Sequence, residues 1–297
     1  MSQQATFAPS GLAWAGNRTA DYVELTKPRV VSMVLVATAA GFYLGEAQSF
    51  NYLLALQLLI GTALAAGGTL ALNEFVERDL DAKMARTRMR PLPDGRLMPV
   101  EALIFGLAIM AAGLAYLWFE VNALSAIVTA GITLLYLGVY TPLKRVSAIC
   151  TVVGSIPGAL PPVVGWAAAR GTLSIEPIVL FAIMFLWQLP HTLAIAELYR
   201  RDFARAGIRL LPIDDPHATG RQVVSNSLAL LGVGMLPTIL GFAGLTYFIV
   251  ALAAGAIMLT YGVKLAAAPA PAAARRLLMA SLIYLPVVLL VMVLDKI

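Results

Sequence analysis

Asn73, Glu77 and Asp81 recur at intervals of four in the stretch NEFVERDLDAKMARTRMRPLP, residues 73 to 93. On a helix turning about 100° per residue they fall within roughly 80° of one another and form an oxygen-bearing ladder about 12 Å long. Asp79 points largely away from that face. Carboxylates one turn apart repel, and a cation between them removes the cost. Hard oxygen donors suit Mg²⁺, which is commonly held by one or two carboxylates and the phosphates of a substrate. Arg86, Arg88 and Arg90 follow at once, and their forked donors match phosphate oxygens. Together these residues describe a site for a diphosphate and magnesium. The alternative is a solvated loop of mixed charge with local ion pairs.

A second group lies in WQLPHTLAIAELYRRDFARAGIRLLPIDD, residues 187 to 215. Gln188, Tyr199 and Asp202 fall within about 80° of His191 on a continuous helix, which predicts one polar stripe lining the same cleft as the first ladder. His191 could contact substrate, move a proton or bond to a neighbouring helix. Asp202 could complete a second magnesium site, and Arg201 lies beside it. In YTPLKR, residues 140 to 145, Tyr140, Lys144 and Arg145 either join the site or anchor the chain at the membrane interface. His217 is expected in a loop. Cys150 is the only cysteine, which excludes an internal disulfide and a cysteine metal cluster.

The elements that must position these groups are membrane helices. The chain has 297 residues, 60% hydrophobic and 12% charged, far from the balance of a soluble domain. Apolar runs of spanning length occur at about 30–46, 52–73, 100–119, 121–140, 148–168, 177–198, 223–242, 244–263 and 277–294. Their short connections leave no room for a soluble domain. The reading is an all-α, polytopic bundle of nine spans: a mobile tail over residues 1–17 without the pattern of a secretory signal, then one domain over 18–297. With the N-terminus in the cytoplasm, 19 of the 21 Lys and Arg lie on the cytoplasmic side, as positive residues favour. The C-terminus is then periplasmic. That rule accounts for the bases but not for the acids at the same edge. In GSIPGALPPVVGW, residues 154 to 166, glycines and prolines inside a span permit close helix contact or broken backbone beside a cavity.

With both acidic stretches in view, the chain resembles the UbiA superfamily of intramembrane prenyltransferases, whose first motif has the form NxxxDxxxD. Glu77 stands at its middle acid. The segments ELTKPRVV, YTPLKRVSAICTVVGSIPGALPPVVGW and WQLPHTLAIAELYRRDFARAGIRLLP look like those of the haem-farnesylating branch. The likeness runs from about residue 22 to 295. It implies a nine-helix bundle in the bacterial inner membrane, with its active site facing the cytoplasm. Its substrates would be farnesyl diphosphate and haem b, with one or two Mg²⁺ ions. A farnesyl group joins a haem vinyl group, water supplies a hydroxyl, and haem O and diphosphate leave, the product serving a terminal oxidase assembly or a downstream haem-modifying enzyme.

The resemblance carries over Asn73, Glu77 and Asp81 as the first metal-diphosphate motif, and Asp202 as a partial second. Tyr199 and Phe203 stand where quinone-type relatives carry further acids. A quinone-precursor or other aromatic prenyltransferase keeps the same fold and chemistry. A secondary transporter would place its charges at mid-membrane, not at the helix ends.

Overall fold

The computed structural model describes residues 18–46, 49–211 and 216–297. The expected tail over 1–17 and the His217 side chain lie outside the described residues, but the His217 backbone is in the helix Pro216–Val233 and not in the expected loop. Among the described residues, nine helices are long and apolar enough to cross a membrane. They are span 1 (Pro28–Gly45), span 2 (Tyr52–Asp81), span 3 (Pro99–Val121), span 4 (Ala123–Leu143) and span 5 (Cys150–Arg170). Spans 6 to 9 are Ile175–Leu198, Ala218–Ile239, Leu245–Ala267 and Pro271–Leu294. A short helix, Arg18–Leu25, precedes them. The only extended pairing among the described residues is an isolated bridge between Ala243 and Lys296. The chain is an all-α, multi-pass membrane protein.

Several boundaries differ from the apolar runs, mostly where polar residues flank them; span 7 instead stops at Ile239, before the apolar Leu240 and Phe242. Span 2 runs eight residues past its apolar stretch, so the acid ladder is helical and not part of a loop. Its 30 residues reach about 45 Å, well beyond a hydrocarbon core of about 30 Å. The last turns therefore stand at the edge of the bundle. Spans 7 and 9 also begin earlier than their apolar runs, because polar and charged first turns hide the start.

Local chemistry sets the ends. The Asn51 side chain accepts from Leu54 N–H at 3.0 Å and caps span 2. Asn122 caps span 4 by accepting from Ser125 N–H at 2.8 Å, and its amide also donates to Ala167 O at 3.0 Å, tying span 4 to span 5. Pro28, Pro99 and Pro271 occupy first turns, where a missing N–H costs nothing. The end of span 4, Leu135–Tyr140, widens into a π-turn just before Pro142, a residue that cannot donate back to the preceding turn.

Span 5 is the central strut, with 67% of its apolar window buried. It breaks at Leu160 between the helices Cys150–Ala159 and Pro161–Arg170. Beyond the break it meets span 1 backbone to backbone: a Cβ on Gly41 would fall 2.0 Å from Pro162 O, and one on Gly165 2.0 Å from Thr38 O. Spans 2 and 3 meet the same way, Gly113 lying against Ala65 and Gly68 against Met110. Small residues at these crossings let helices approach where hydrophobic burial alone would not drive them together. Spans 6 to 9 pack around Leu180, Ile183, Leu230, Tyr247, Met258 and Val288. Spans 1, 2, 4, 5 and 6 enclose a cavity.

Candidate active site

Span 2 delivers its ladder as the spacing predicts. Asn73, Glu77 and Asp81 are 1%, 9% and 2% exposed, whereas the Asp79 side chain is 76% exposed. Each buried group meets a partner from another element. Lys144 Nζ donates to Glu77 Oε1 at 2.7 Å and lies 4.3 Å from the Tyr140 ring centre. Arg90 Nη1 donates to Asp81 Oδ2 at 2.7 Å. Asn73 donates to Thr141 Oγ1 at 3.2 Å and accepts from Lys27 Nζ at 3.2 Å.

Two members of this group went unassigned in the sequence. Glu74 is 1% exposed; its Oε1 lies 3.6 Å from Lys27 and 3.5 Å from Arg90, and its Oε2 has no partner among the described residues. A signal existed, because Glu74, Glu77 and Asp81 stand at i, i+3 and i+7, also one helical face. Lys27, in the sequence one basic residue of the segment ELTKPRVV, is the other. It occupies the left-handed region at φ 52 and ψ 63, a conformation that costs a non-glycine residue about 1–2 kcal/mol. The following Pro28 disfavours the ordinary helical alternative, and the turn aims the ammonium at Asn73 and Glu74.

Three acids and three bases thus face one another: Glu74, Glu77 and Asp81 against Lys27, Arg90 and Lys144. Burial, then the nearby Arg90 charge, lowers the Lys27 ammonium to about 8. Lys144 differs because burial, which would lower it, is outweighed by Tyr140, Tyr136 and Glu77, and it is held above its ordinary value.

The loop after the ladder is folded onto it. Thr87 Oγ1 donates to Asp81 O at 2.8 Å. Arg96 gathers Asp21, Glu24 and Asp94, fixing the first helix against this loop. Arg86 stacks over Phe203 at 4.9 Å and Tyr199 at 5.6 Å, and the charges of Asp81 and Asp202 both act on it. Arg88, Arg145 and Arg201 are exposed.

The predicted single stripe along span 6 is not formed, for two reasons. First, Gln188 and Thr192 line the cavity. They are only about 40° apart, which puts His191 about 80° from their mean direction. His191 Nδ1 instead meets Ser281 Oγ of span 9 at 2.8 Å, and its ring stacks on Trp187 at 4.8 Å. Since Ser281 Oγ donates to Leu278 O, Nδ1 is the donor to Ser281. Second, the helix breaks at Tyr199, φ −106 and ψ 23, and Asp202 sits on a separate short helix, Arg200–Arg205. Asp202 and Tyr199 line a recess with Arg200, Arg201 and Pro271. Among the described residues no three His, Cys, Asp or Glu side chains converge as a metal cluster. Arg86 is the link between the two acidic regions.

The donor set nonetheless fits a hard cation shared with a diphosphate. Glu77 and Asp81 each use one oxygen on a base, and Glu74 keeps a buried oxygen unpaired. Beside this charged end lies a cavity of about 270 Å³ lined by Tyr136, Tyr140, Val30, Val34 and Leu70, and the Tyr140 ring, in contact with Lys144, joins the two. That is below the roughly 300–1,000 Å³ of drug-sized pockets. Gly154 admits the Tyr140 ring, and Gly158 admits the Gln188 amide.

Comparison with known proteins gives the family and the fold. The UbiA prenyltransferase family matches residues 34–284. The protoheme IX farnesyltransferase of Solibacter usitatus is 46% identical over 287 residues, covering 93% of this chain and 98% of its own. That of Koribacter versatilis is 41% identical over 288 residues, covering 93% of each. Among solved structures, a digeranylgeranylglyceryl phosphate synthase superposes with a TM-score of 0.80 at 17% identity, over 93% of this chain and 98% of that one. A UbiA homolog from Archaeoglobus fulgidus bound to GPP and Mg²⁺ superposes with a TM-score of 0.65 at 17% identity, over 92% and 99%.

Proposed function

The chain belongs to the UbiA prenyltransferase family and transfers a farnesyl group from farnesyl diphosphate to haem b, giving haem O; from that premise we propose which of its residues do so and on which side of the membrane. The observation that carries the assignment is the buried set of three acids and three bases at the charged end of an apolar cavity. Before substrate binds, each base neutralises an acid, so no bare charge is buried. A diphosphate entering there meets Lys27, Arg90 and Lys144, with Arg86 at the rim and Arg88, Arg145 and Arg201 outside, and frees carboxylate oxygens as it takes the bases.

Glu77 and Asp81, with Asn73, are the residues that would hold Mg²⁺ against the diphosphate, and Glu74 stands beside them. When bound, the ion supplies charge neutralisation of the leaving group. We assign one ion to this ladder. Asp202, in its own recess, serves the site through Arg86 instead of as a direct partner of Asp81. The bases hold the departing diphosphate by preorganised electrostatics. Tyr136, Tyr140 and the apolar walls fix the prenyl chain and limit water, so that the haem vinyl carbon attacks first. Because the cavity is small, haem b enters by its mouth and lays its reacting edge at the Tyr140 level.

We place this charged end in the cytoplasm, with the N-terminus inside and the C-terminus periplasmic in a bacterial inner membrane. The support is the share of bases on that side, 19 of 21. Residues 18–297 act as one domain, and haem O passes to a terminal oxidase assembly or to a haem-modifying enzyme. His191 holds span 6 to span 9 through Ser281, and we give it that structural role in place of a contact to haem.

The test is haem O formation by purified protein with haem b, farnesyl diphosphate and Mg²⁺. Glu77→Gln and Asp81→Asn are each expected to cut it by about 100-fold or more, the scale of losing one charge-stabilising contact in a transition state. Wild-type turnover in either variant would remove the ladder from the site.

A further inference from the structure

Haem b farnesylation consumes one water, and it must do so in a cavity that otherwise protects a carbocation. The cavity wall is rich in threonines, and most are internally satisfied. Thr38, Thr69 and Thr129 turn their hydroxyls to Val34 O at 2.9 Å, Ala65 O at 2.8 Å and Ser125 O at 2.8 Å. Thr133 pairs with Thr69 at 2.9 Å. Thr62 Oγ1, Thr151 Oγ1 and Gln188 Oε1 line the same cavity but behave differently: all three atoms are fully buried and have no partner among the described residues; of the three, only Gln188 Oε1 is purely an acceptor, with no hydrogen of its own to turn onto a backbone carbonyl. Buried polar atoms in native proteins are nearly always paired, by protein or by ordered water.

Gln188 cannot simply turn away. A Cβ on Gly158 would lie 2.3 Å from its Oε1 and 2.4 Å from its Nε2, so the amide fills the space left by the missing side chain. Neither organic substrate can satisfy Oε1. Farnesyl diphosphate and haem b, both ionised, offer hydrocarbon and hydrogen-bond acceptors but no O–H or N–H donor. Water is such a donor, and so is the hydroxyl of the product.

We propose that Gln188, clamped against Gly158, binds the water that becomes the hydroxyl of haem O. Thr151 lies seven residues nearer the charged end on span 5, about 10 Å of helical rise, and extends the polar line toward the diphosphate. The farnesyl C1–O bond breaks and its electron pair leaves on the diphosphate. The vinyl π pair forms the new C–C bond, which leaves the inner vinyl carbon positive. A lone pair of the held water closes on that carbon, and one water proton passes to the diphosphate. Without a positioned water, the same cation loses a proton from the adjacent carbon and gives an alkene lighter by one water.

This inference rests on the haem-farnesylating reading above, and the readout is the ratio of hydrated to dehydrated farnesyl-haem by mass spectrometry, which is independent of overall rate. Gln188→Leu is expected to raise the dehydrated fraction several-fold, and Gln188→Glu, which keeps an acceptor, to restore haem O. Gly158→Ala displaces the amide without deleting it and is expected to shift the ratio in the same direction, which decides the matter should Gln188→Leu fail to fold. Wild-type ratios in both Gln188→Leu and Gly158→Ala would overturn the assignment. Absence of any farnesylated haem from the wild-type protein would instead strike the functional reading, and this inference with it.

Discussion

Lys144 and Glu77 form a well-shielded ion pair of the site, their side chains 14% and 11% exposed. Attraction in a buried pair only partly returns the cost of desolvating it, and removing one partner costs about 3–5 kcal/mol because the other is stranded. Lys144→Gln alone is therefore expected to lower the melting temperature in detergent more than the double variant Lys144→Gln/Glu77→Gln. Equal losses would show that the two charges are not coupled in the ligand-free protein. His191 makes a different kind of contribution, a hydrogen bond to Ser281 worth about 1 kcal/mol. His191→Ala is expected to melt earlier while keeping haem O turnover within about threefold; a loss of several orders of magnitude, read as ΔΔG‡, would return this residue to the chemistry.

At the scale of elements, what holds the cavity open is the close approach of helices at glycine, not bulk in a core. Gly41→Ala puts a methyl group 2.0 Å from Pro162 O, a backbone atom that cannot swing aside. Overpacking of this kind costs about 1–3 kcal/mol, so the variant is expected to unfold at lower temperature. Gly138→Ala, where an added Cβ meets nothing within 4 Å, is the control and should cost nothing. The same logic separates the glycines of span 5. Gly165 serves helix contact, whereas Gly154 and Gly158 make room for Tyr140 and Gln188 at the cavity. All three sit in one motif that the sequence presents as a single cluster of small residues and prolines.

At the scale of the molecule, the charged end gathers the first helix, the 82–98 loop and the end of span 6 around the ladder, and the opposite end carries few charges. Cysteines introduced at Arg88 and Ile297, in a Cys150→Ser background, should label from opposite sides of sealed inner-membrane vesicles. Labelling from the same side would refute the proposed orientation. Chelating divalent metal should abolish diphosphate release without unfolding the bundle, because each acid of the ladder already has a base beside it. A parallel loss of thermal stability would mean that the ion is structural.

Sequence by itself determined the nine spans, the charged edge and the shared face of Asn73, Glu77 and Asp81. Each follows from one helix's own composition and its 100° turn, which need no knowledge of neighbours. Tertiary structure decided what those neighbours are. Lys27, 46 residues away from Asn73, entered the site because a left-handed turn before Pro28 aims it there. Glu74 joined because Lys27 and Arg90 stand on its side of span 2. The span 6 stripe dissolved because the helix breaks at Tyr199 and because the cavity lies on the Gln188 side, leaving His191 to Ser281. Angular position on a single helix says which residues share a face. Only packing says what that face meets.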